Sequence, residues 1–467
     1  MALNEFLLSF EDATKKLEST KGVVRIVSHI DCDGICSASI LSCALARKNI
    51  KFGLSIIKQV TKEALLELKK EQYDLIIFSD LGSSSKDMIL QILCDKQIII
   101  LDHHQTQEGK SDNLVEINPL LFGVDGNKEI SGAGVCYLFS KLLDEDNRDL
   151  SYLAIMGAIG DVQENKGFSG VNSMILNDAK DKLKVISGLR IFGTQTRPIY
   201  RVLEYSTEIY IPGVTGSEIG AIKFLEDLGI PIKAKDKVRR LIDLNDGEMK
   251  ILIEAIVVKR ASYVDNPQDI IGPVYLVSSE PDGFPTKDLK EFSTLLNACG
   301  RLGRSSLGIG VCLGDKESKK EAFKLLEDYK IEILNGLNWF YDAKKQGRII
   351  EKDYFVIINA EEYIRDTIVG VLASILSRNN VFSSGKVIIA MAHTLYDSTK
   401  ISSRVAGIKK SELDLKLILD LICQGLGGQV GGHKNAAGAI IPQEKEEEFI
   451  SRAQEYFSKV SVAQKET

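Results

Sequence analysis

Apolar residues in the first 160 positions fall into two interleaved patterns. Residues 23–27, 52–57, 75–78 and 98–101 are short runs dominated by Val, Ile, Leu and Phe. Apolar runs of this length predict strands buried on both faces of a parallel sheet. Between them, residues 34–48 repeat Ile35, Ala38, Leu41 and Leu45 at helical spacing, and 61–70 and 86–93 are further predicted helices. Residues 131–143 and 150–159 extend the helical pattern. Strand and helix in alternation predict a doubly wound α/β domain over residues 1–185.

Residues 186–350 form a middle connecting or insertion region of mixed pattern. Pro198, Pro212, Pro231 and Pro273 punctuate it, and 233–240 is a basic run. Residues 295–301 (LLNACGR) precede a strand-like stretch at 307–313, and a helical stretch at 319–334 closes the region. A second α/β pattern occupies 351–467. Its predicted order is strand 354–358, helix 367–377, strands 386–391 and 400–405, and helix 413–423. A glycine-rich segment at 425–433 follows, then a charged helix start at 443–448.

Composition narrows the class. The chain has 467 residues, enough for roughly three modules, with 44% hydrophobic and 27% charged residues, the balance of a globular protein. Lys+Arg number 59 and Asp+Glu 65, a net charge of −6. A bulk polycation that grips nucleic acid by overall charge is therefore excluded, whereas a local basic groove is not. Glu5, Glu11 and Asp12 interrupt the start where a signal peptide is basic and then apolar, and the longest uncharged apolar stretch, 150–160, is too short to cross a bilayer. Eight cysteines without CxxC spacing read as reduced thiols. A cytoplasmic protein without membrane association is expected.

Four of the five histidines stand inside acidic or glycine-rich clusters. The first cluster is His29-Ile30-Asp31-Cys32-Asp33-Gly34, read as an extended segment that sets His29, Asp31 and Asp33 on one side. Asp80 and Asp102-His103-His104 follow two other predicted strands, and Asp161 follows a helix. The ends of the strands in a doubly wound sheet meet in one crevice, where such folds bind ligands. A lone Asp after a strand is ordinarily a turn or cap residue; four such clusters at successive element ends are not produced by capping alone. Five carboxylates in one crevice repel one another and require cations. Imidazole and carboxylate donors without thiolate suit Mn2+ or Mg2+, and two ions bridged by one Asp are the usual economy of such a site. The segment Gly431-Gly432-His433-Lys434-Asn435 offers backbone N–H groups and side-chain donors to an anion, and Ser403-Arg404 adds a guanidinium fork. Arg301 and Arg304 are a third basic pair, equally explained as a solvated loop.

His29-x-Asp31-x-Asp33-Gly34, Asp80, Asp102-His103-His104 and Gly160-Asp161 resemble the four ordered motifs of the DHH phosphoesterase superfamily. Residues 431–438 (GGHKNAAG) resemble the signature of its DHHA1 domain. The short spacing of the first motif is similar to RecJ-type nucleases. His29 at its head, and 295–301, are similar to archaeal RecJ-like proteins. The resemblance implies a DHHA1 substrate domain facing the DHH domain across a cleft. It implies two Mn2+ (or Mg2+) on His29, Asp31, Asp33, Asp80, His103 and Asp161, with Asp80 bridging. Asp102 would orient the histidine pair, His104 would face the scissile phosphate, and Ser403, Arg404, Gly432, His433, Lys434 and Asn435 would hold the substrate.

The activity so implied is a single-strand-specific exonuclease on DNA or RNA, in replication, repair or RNA degradation. The alternatives are a phosphodiesterase of short oligonucleotides or cyclic dinucleotides, and a replisome scaffold. Archaeal relatives associate with the GINS complex, which makes GINS and the replicative helicase the implied protein partners, and the middle region the implied docking surface.

Overall fold

The computed structural model describes residues 2–164, 167–206, 209–264, 266–378, 381–407 and 413–463, apart from the side chains of Ala2, His433 and 460–463. The chain divides into two compact units, Met1–Leu326 and Glu327–Thr467.

The first unit begins with α1 (Ala2–Ser19), an element the sequence reading did not predict. Its buried Phe6, Phe10, Ala13 and Leu17 recur at helical spacing. Five strands follow: β1 (Val24–His29), β2 (Phe52–Ile57), β3 (Leu75–Ser79), β4 (Gln97–Leu101) and β5 (Leu114–Ile117). They form an all-parallel sheet in the order β2-β1-β3-β4-β5. Helices α2 (Cys32–Arg47), α3 (Lys62–Lys70) and α4 (Lys86–Ile92) make the crossovers, and α5 (Gly132–Leu143), α6 (Ser151–Gly160) and α7 (Gly170–Asp178) come after the sheet. Ile76, Phe78, Ile98 and Ile100 pack with Leu65, Leu68, Ile89 and Leu93 on one face. The alternate residues Leu75, Ile77, Ile99 and Leu101 are equally buried. Burial of both faces explains runs without polar alternation.

The order of strands places the functional ends side by side. Ser28 pairs with Ser79, and Ser79 with Leu101. The residues that follow, His29, Asp80 and Asp102, therefore emerge from three neighbouring strands at one edge of the sheet.

After β6 (Leu183–Leu189) come α8 (Ile199–Glu204), α9 (Glu218–Asp227), the small hairpin β7 (Lys233–Ala234) and β8 (Lys237–Val238), and α10 (Asp246–Arg260). Strand β9 (Ile271–Val277) returns to pair antiparallel with β6. The segment between has its own core around Ile199, Leu203, Leu225 and Leu252. Within the basic run, Arg239 pairs with Glu248 and Arg240 with Asp243.

Three helices then follow: α11 (Leu289–Arg301), α12 (Ser305–Cys312) and α13 (Lys316–Lys345). The strand expected at 307–313 is instead α12, a correction with a clear cause. A short apolar run does not by itself distinguish a buried strand from a buried helix. Here Gly303 and Gly314, at φ +72° and +83°, turn the chain at the ends of successive helices, a left-handed conformation that glycine adopts without strain. Gly308 leaves room for α12 to lie against Ile35 and Cys299, each 3.3 Å from where a Cβ would stand.

In the second unit, β10 (Ile350–Glu351), β11 (Phe355–Asn359), α14 (Asp366–Arg378), β12 (Val387–His393), β13 (Ser398–Val405), α15 (Leu415–Cys423), β14 (Gln429–His433), β15 (Ala436–Pro442) and α16 (Glu446–Ala463) follow in order. The sheet runs β10-β11-β12-β13-β15-β14, parallel only between β11 and β12. The end of the glycine-rich segment is thus β14, an edge strand joined to β15 by a tight turn at Lys434-Asn435. Among the described residues no helix is long and apolar enough to cross a membrane.

Candidate metal centre

His29 is the last residue of β1, Asp31 caps α2, and Asp33 lies in the first turn of that helix. The expectation that 29–33 is extended, with all three side chains on one side, is corrected: the chain enters the helix at Cys32. Asp31 accepts from the Gly34 N–H at 3.0 Å, as an N-cap does. His29 and Asp31 therefore join one group of ligand atoms with Asp80, whereas Asp33 joins another with His103 and Asp161.

Asp80 sits between the two groups. Its Oδ2 lies 3.5 Å from His29 Nδ1, and its Oδ1 lies 3.3 Å from His103 Nε2 and 3.9 Å from His104 Nδ1. Its backbone is held left-handed at φ +58°, a conformation Asp tolerates better than most side chains do. His103 Nε2 also lies 3.6 Å from Asp33 Oδ2 and 3.2 Å from Asp161 Oδ2, and His29 Nδ1 lies 3.0 Å from Asp31 Oδ2.

At the centre of this cluster the polar atoms are close without being hydrogen-bonded to one another. Both carboxylate oxygens of Asp80, His29 Nδ1 and His103 Nε2 are buried and have no hydrogen-bond partner among the described residues. Buried polar atoms are ordinarily paired; a cluster of orphaned donors of this kind fits a divalent cation. Electrostatics points the same way. Burial and the neighbouring Asp80 and Asp161 push Asp33 well above the usual carboxylate range. Burial opposes protonation of His29 and His103, yet the carboxylates of Asp31 and Asp80, and of Asp161, Asp80 and Asp33, hold both imidazoles well above their ordinary value. Without cations the pocket retains protons; divalent ions would replace them.

Asp102 plays a different part. Its carboxylate accepts from Ser83 N at 2.9 Å, His103 N at 2.8 Å, His104 N at 3.2 Å and His104 Nδ1 at 2.8 Å. Burial would raise it, but the adjacent His104 holds it below the carboxylate range. Its oxygens are committed to fixing the loop and the imidazole. His104, 37% exposed, keeps Nε2 free of that contact, whereas His103 uses Nδ1 on the Gly126 carbonyl at 2.6 Å and turns Nε2 toward the carboxylates. A committed Nδ1 fixes which nitrogen a ligating histidine presents.

Residues 23–158 match the DHH family, N-terminal domain, residues 191–271 the DHH-CID domain, and residues 353–459 the DHHA1 domain. An uncharacterised protein of Methanocaldococcus jannaschii is 32% identical over 473 residues, which span 97% of this chain and 98% of that one. The chain belongs to the DHH/DHHA1 superfamily. Its fold is similar to that of exonuclease RecJ in a manganese-bound crystal structure, with 17% identity, a TM-score of 0.56, and 98% of this chain and 94% of that one covered. It is similar also to CDC45 from Entamoeba histolytica, with 13% identity, a TM-score of 0.67, and coverage of 97% and 99%. The doubly wound DHH sheet and the DHHA1 domain match RecJ architecture.

Several residues that build the DHH site escaped the sequence reading. Asp33 accepts from the N–H groups of Gly132 and Ala133 at 2.7 and 3.0 Å, at the positive end of α5. A Cβ on Gly157 would stand 2.1 Å from Asp33 Oδ1, and one on Gly126 2.4 Å from the His103 carbonyl. Asn118, fully buried, donates to the His104 carbonyl and to Ser83 Oγ. The legible signal was Ser131-Gly-Ala-Gly134 at the head of a predicted helix, where backbone N–H groups await an anion.

In the DHHA1 domain the register sets Arg404 opposite Ala436 and Ala436 opposite His433, so three strands contribute one row. Arg404 Nε donates to Ser374 Oγ at 3.0 Å and Nη1 to the Ser403 carbonyl at 2.8 Å. The Ser403 side chain is buried, while Gly432, Lys434 and Asn435 are exposed. The His433 side chain lies outside the described residues. Gly432, at φ +110°, approaches β15 so closely that a Cβ would stand 2.5 Å from the Ala436 carbonyl oxygen. Arg304 pairs with Glu321 at 3.4 Å on the surface.

Proposed function

We propose that this protein is a divalent-metal-dependent phosphodiesterase that removes nucleotides from an end of single-stranded DNA or RNA. In this reading His29, Asp31, Asp33, Asp80, His103 and Asp161 would hold two Mn2+ ions, or Mg2+, with Asp80 serving both. The observation that carries it is the position of Asp80: both of its oxygens are buried and orphaned, one toward His29 and one toward His103. The DHH family match and the RecJ-type fold support the class of reaction.

Such ions supply Lewis-acid activation of water and of the phosphoryl group. The protein's own groups do the rest. His104 is held through Nδ1 by Asp102, whose carboxylate favours the imidazolium form against the effect of burial; in that form Nε2 carries the proton that it donates to a phosphoryl oxygen as charge builds there. Arg404, the Gly432 N–H, His433, Lys434 and Asn435 supply the donors that hold the substrate phosphate, with the Ser403 carbonyl steadying Arg404. With a net charge of −6, grip on a polyanion has to come from such local donors. A cytoplasmic site of action in replication, repair or RNA turnover fits this activity.

A second reading, assembly into a replisome with GINS and the replicative helicase, rests on the fold shared with CDC45 over nearly the whole chain. One experiment separates the readings. The purified protein is incubated with Mn2+ and end-labelled single strands of DNA and RNA, beside Asp80→Ala. Stepwise release of mononucleotides, lost by at least 100-fold in Asp80→Ala, is expected. Cleavage of di- to tetranucleotides alone would favour the short-oligonucleotide phosphodiesterase. No cleavage of either would overturn the enzymatic reading in favour of the scaffold.

A further inference from the structure

One side of the first ligand group is built by a helix far away in sequence. Asn297, on α11, accepts a hydrogen bond through Oδ1 from the backbone N–H of Cys32 at 3.1 Å, across 265 positions. That N–H opens α2 and is one of the four that a helix cannot satisfy internally. One turn further along α11, on the same face, Gly300 meets the preceding residue: a Cβ there would stand 1.7 Å from the Ile30 carbonyl oxygen. The helix backbone thus lies directly on Ile30.

Asp31 is the residue between these two contacts. Gly300 abuts Ile30 on one side, Asn297 bonds Cys32 on the other, and the Asp31 carboxylate reaches 3.0 Å from His29 Nδ1. In the second ligand group Asp33 accepts from Gly132 and Ala133 and His103 is held by the Gly126 carbonyl, none of them on α11; α11 meets this group only by packing against α2 and α6, the helices of Asp33 and Asp161. The hydrogen bonds that hold the two groups thus come from different elements, from α11 for the first and from the head of α5 and the Gly126 carbonyl for the second.

We infer that Asn297 is a positioning residue for the cation held by His29, Asp31 and Asp80, acting through the Cys32 N–H, and that it has no comparable effect on the cation held by Asp33, His103 and Asp161. The role belongs to the side-chain oxygen, which satisfies the N–H that opens α2. The inference rests on the proposed two-metal reading.

The test uses the full chain, stripped of metal by chelation and titrated with Mn2+ alone, with free Mn2+ followed by electron paramagnetic resonance. Asn297→Leu keeps the branched shape and removes the acceptor; Asn297→Asp keeps the acceptor. Two tight sites are expected in the parent. In Asn297→Leu one of them weakens at least tenfold while the other stays within twofold, and Asn297→Asp returns it to within threefold of the parent. Asp161→Ala, which weakens the other site, combined with Asn297→Leu leaves no tight site. Gly300→Ala is expected to weaken the same site as Asn297→Leu. The inference is overturned if Asn297→Leu leaves both sites unchanged, if it weakens both alike, or if Asn297→Asp fails as Asn297→Leu does. A parent that binds no Mn2+ overturns the two-metal reading, and this inference with it; a parent with two sites and an indifferent Asn297→Leu overturns the inference alone.

Discussion

Gly132 donates its backbone N–H to Asp33 Oδ2 at 2.7 Å, and the same residue leaves space for Asp80. A Cβ at position 132 would stand 2.6 Å from Asp80 Oδ1, 2.7 Å from its Cβ and 3.0 Å from its Cα. One glycine therefore governs both the anchored carboxylate and the shared one.

Gly132→Ala should consequently damage the site out of proportion to its size. The methyl group meets backbone as well as side chain, so α5 or the β3 end must move, at a cost of about 1–3 kcal/mol. Mn2+-dependent turnover is expected to fall at least tenfold and the denaturant midpoint to drop. Turnover within threefold of the parent would contradict the packing described for the site.

The loop carrying His103 and His104 is tied down by a buried ion pair. Lys86 Nζ lies 2.8 Å from Glu116 Oε2, with both side chains almost wholly buried, and Thr106 Oγ1 donates to Glu116 Oε1 at 2.7 Å. Lys86→Met strands the Glu116 charge and should cost about 3–5 kcal/mol. Lys86→Met combined with Glu116→Leu removes both charges and should recover most of that loss. Urea unfolding of the single and double variants checks both figures, and equal destabilisation of the two would refute the argument.

Stability should also carry a pH signature from the start of α11. Burial pushes Glu291 up to about 7, against the hydrogen bonds it accepts from Thr196 Oγ1 and Gln195 N. Between its ordinary value of 4.5 and that value, the folded chain keeps a proton that the unfolded chain has released. Stability therefore falls as pH rises through this window and levels off above it, a swing on the order of 3 kcal/mol. Asp288, raised by burial to about 6, acts in the same direction at lower pH. Glu291→Gln is expected to raise the thermal midpoint at pH 8 and to flatten its slope between pH 5 and 7. A midpoint that responds equally to the substitution at pH 5 and pH 8 would show that Glu291 is ionised throughout.

Strands β3 and β4 were legible because burial on both faces leaves a continuous apolar run, and the half-buried edge strand β2 begins and ends where the pattern predicts. Helix α1 was missed although Phe6, Phe10, Ala13 and Leu17 carry the stripe, because the exposed Leu3 and Leu8 lie outside it and blur its period. The strand expected at 307–313 failed for the opposite reason: α12 is too short and too uniformly apolar for period to decide.

The sequence by itself determined which donor atoms this protein offers. Histidine and aspartate at four element ends specify hard-cation donors, and the order of strand and helix brings three of those ends together. Only the tertiary structure decided how the donors divide. Whether Asp33 sides with Asp31 or with His103 depends on where α2 begins, and whether Asp80 is shared depends on a backbone at φ +58° beside Gly132. The contact of Asn297 with Cys32 spans 265 positions. Local pattern encodes which atoms a segment offers; their direction is set by packing between segments, which no single stretch of sequence contains.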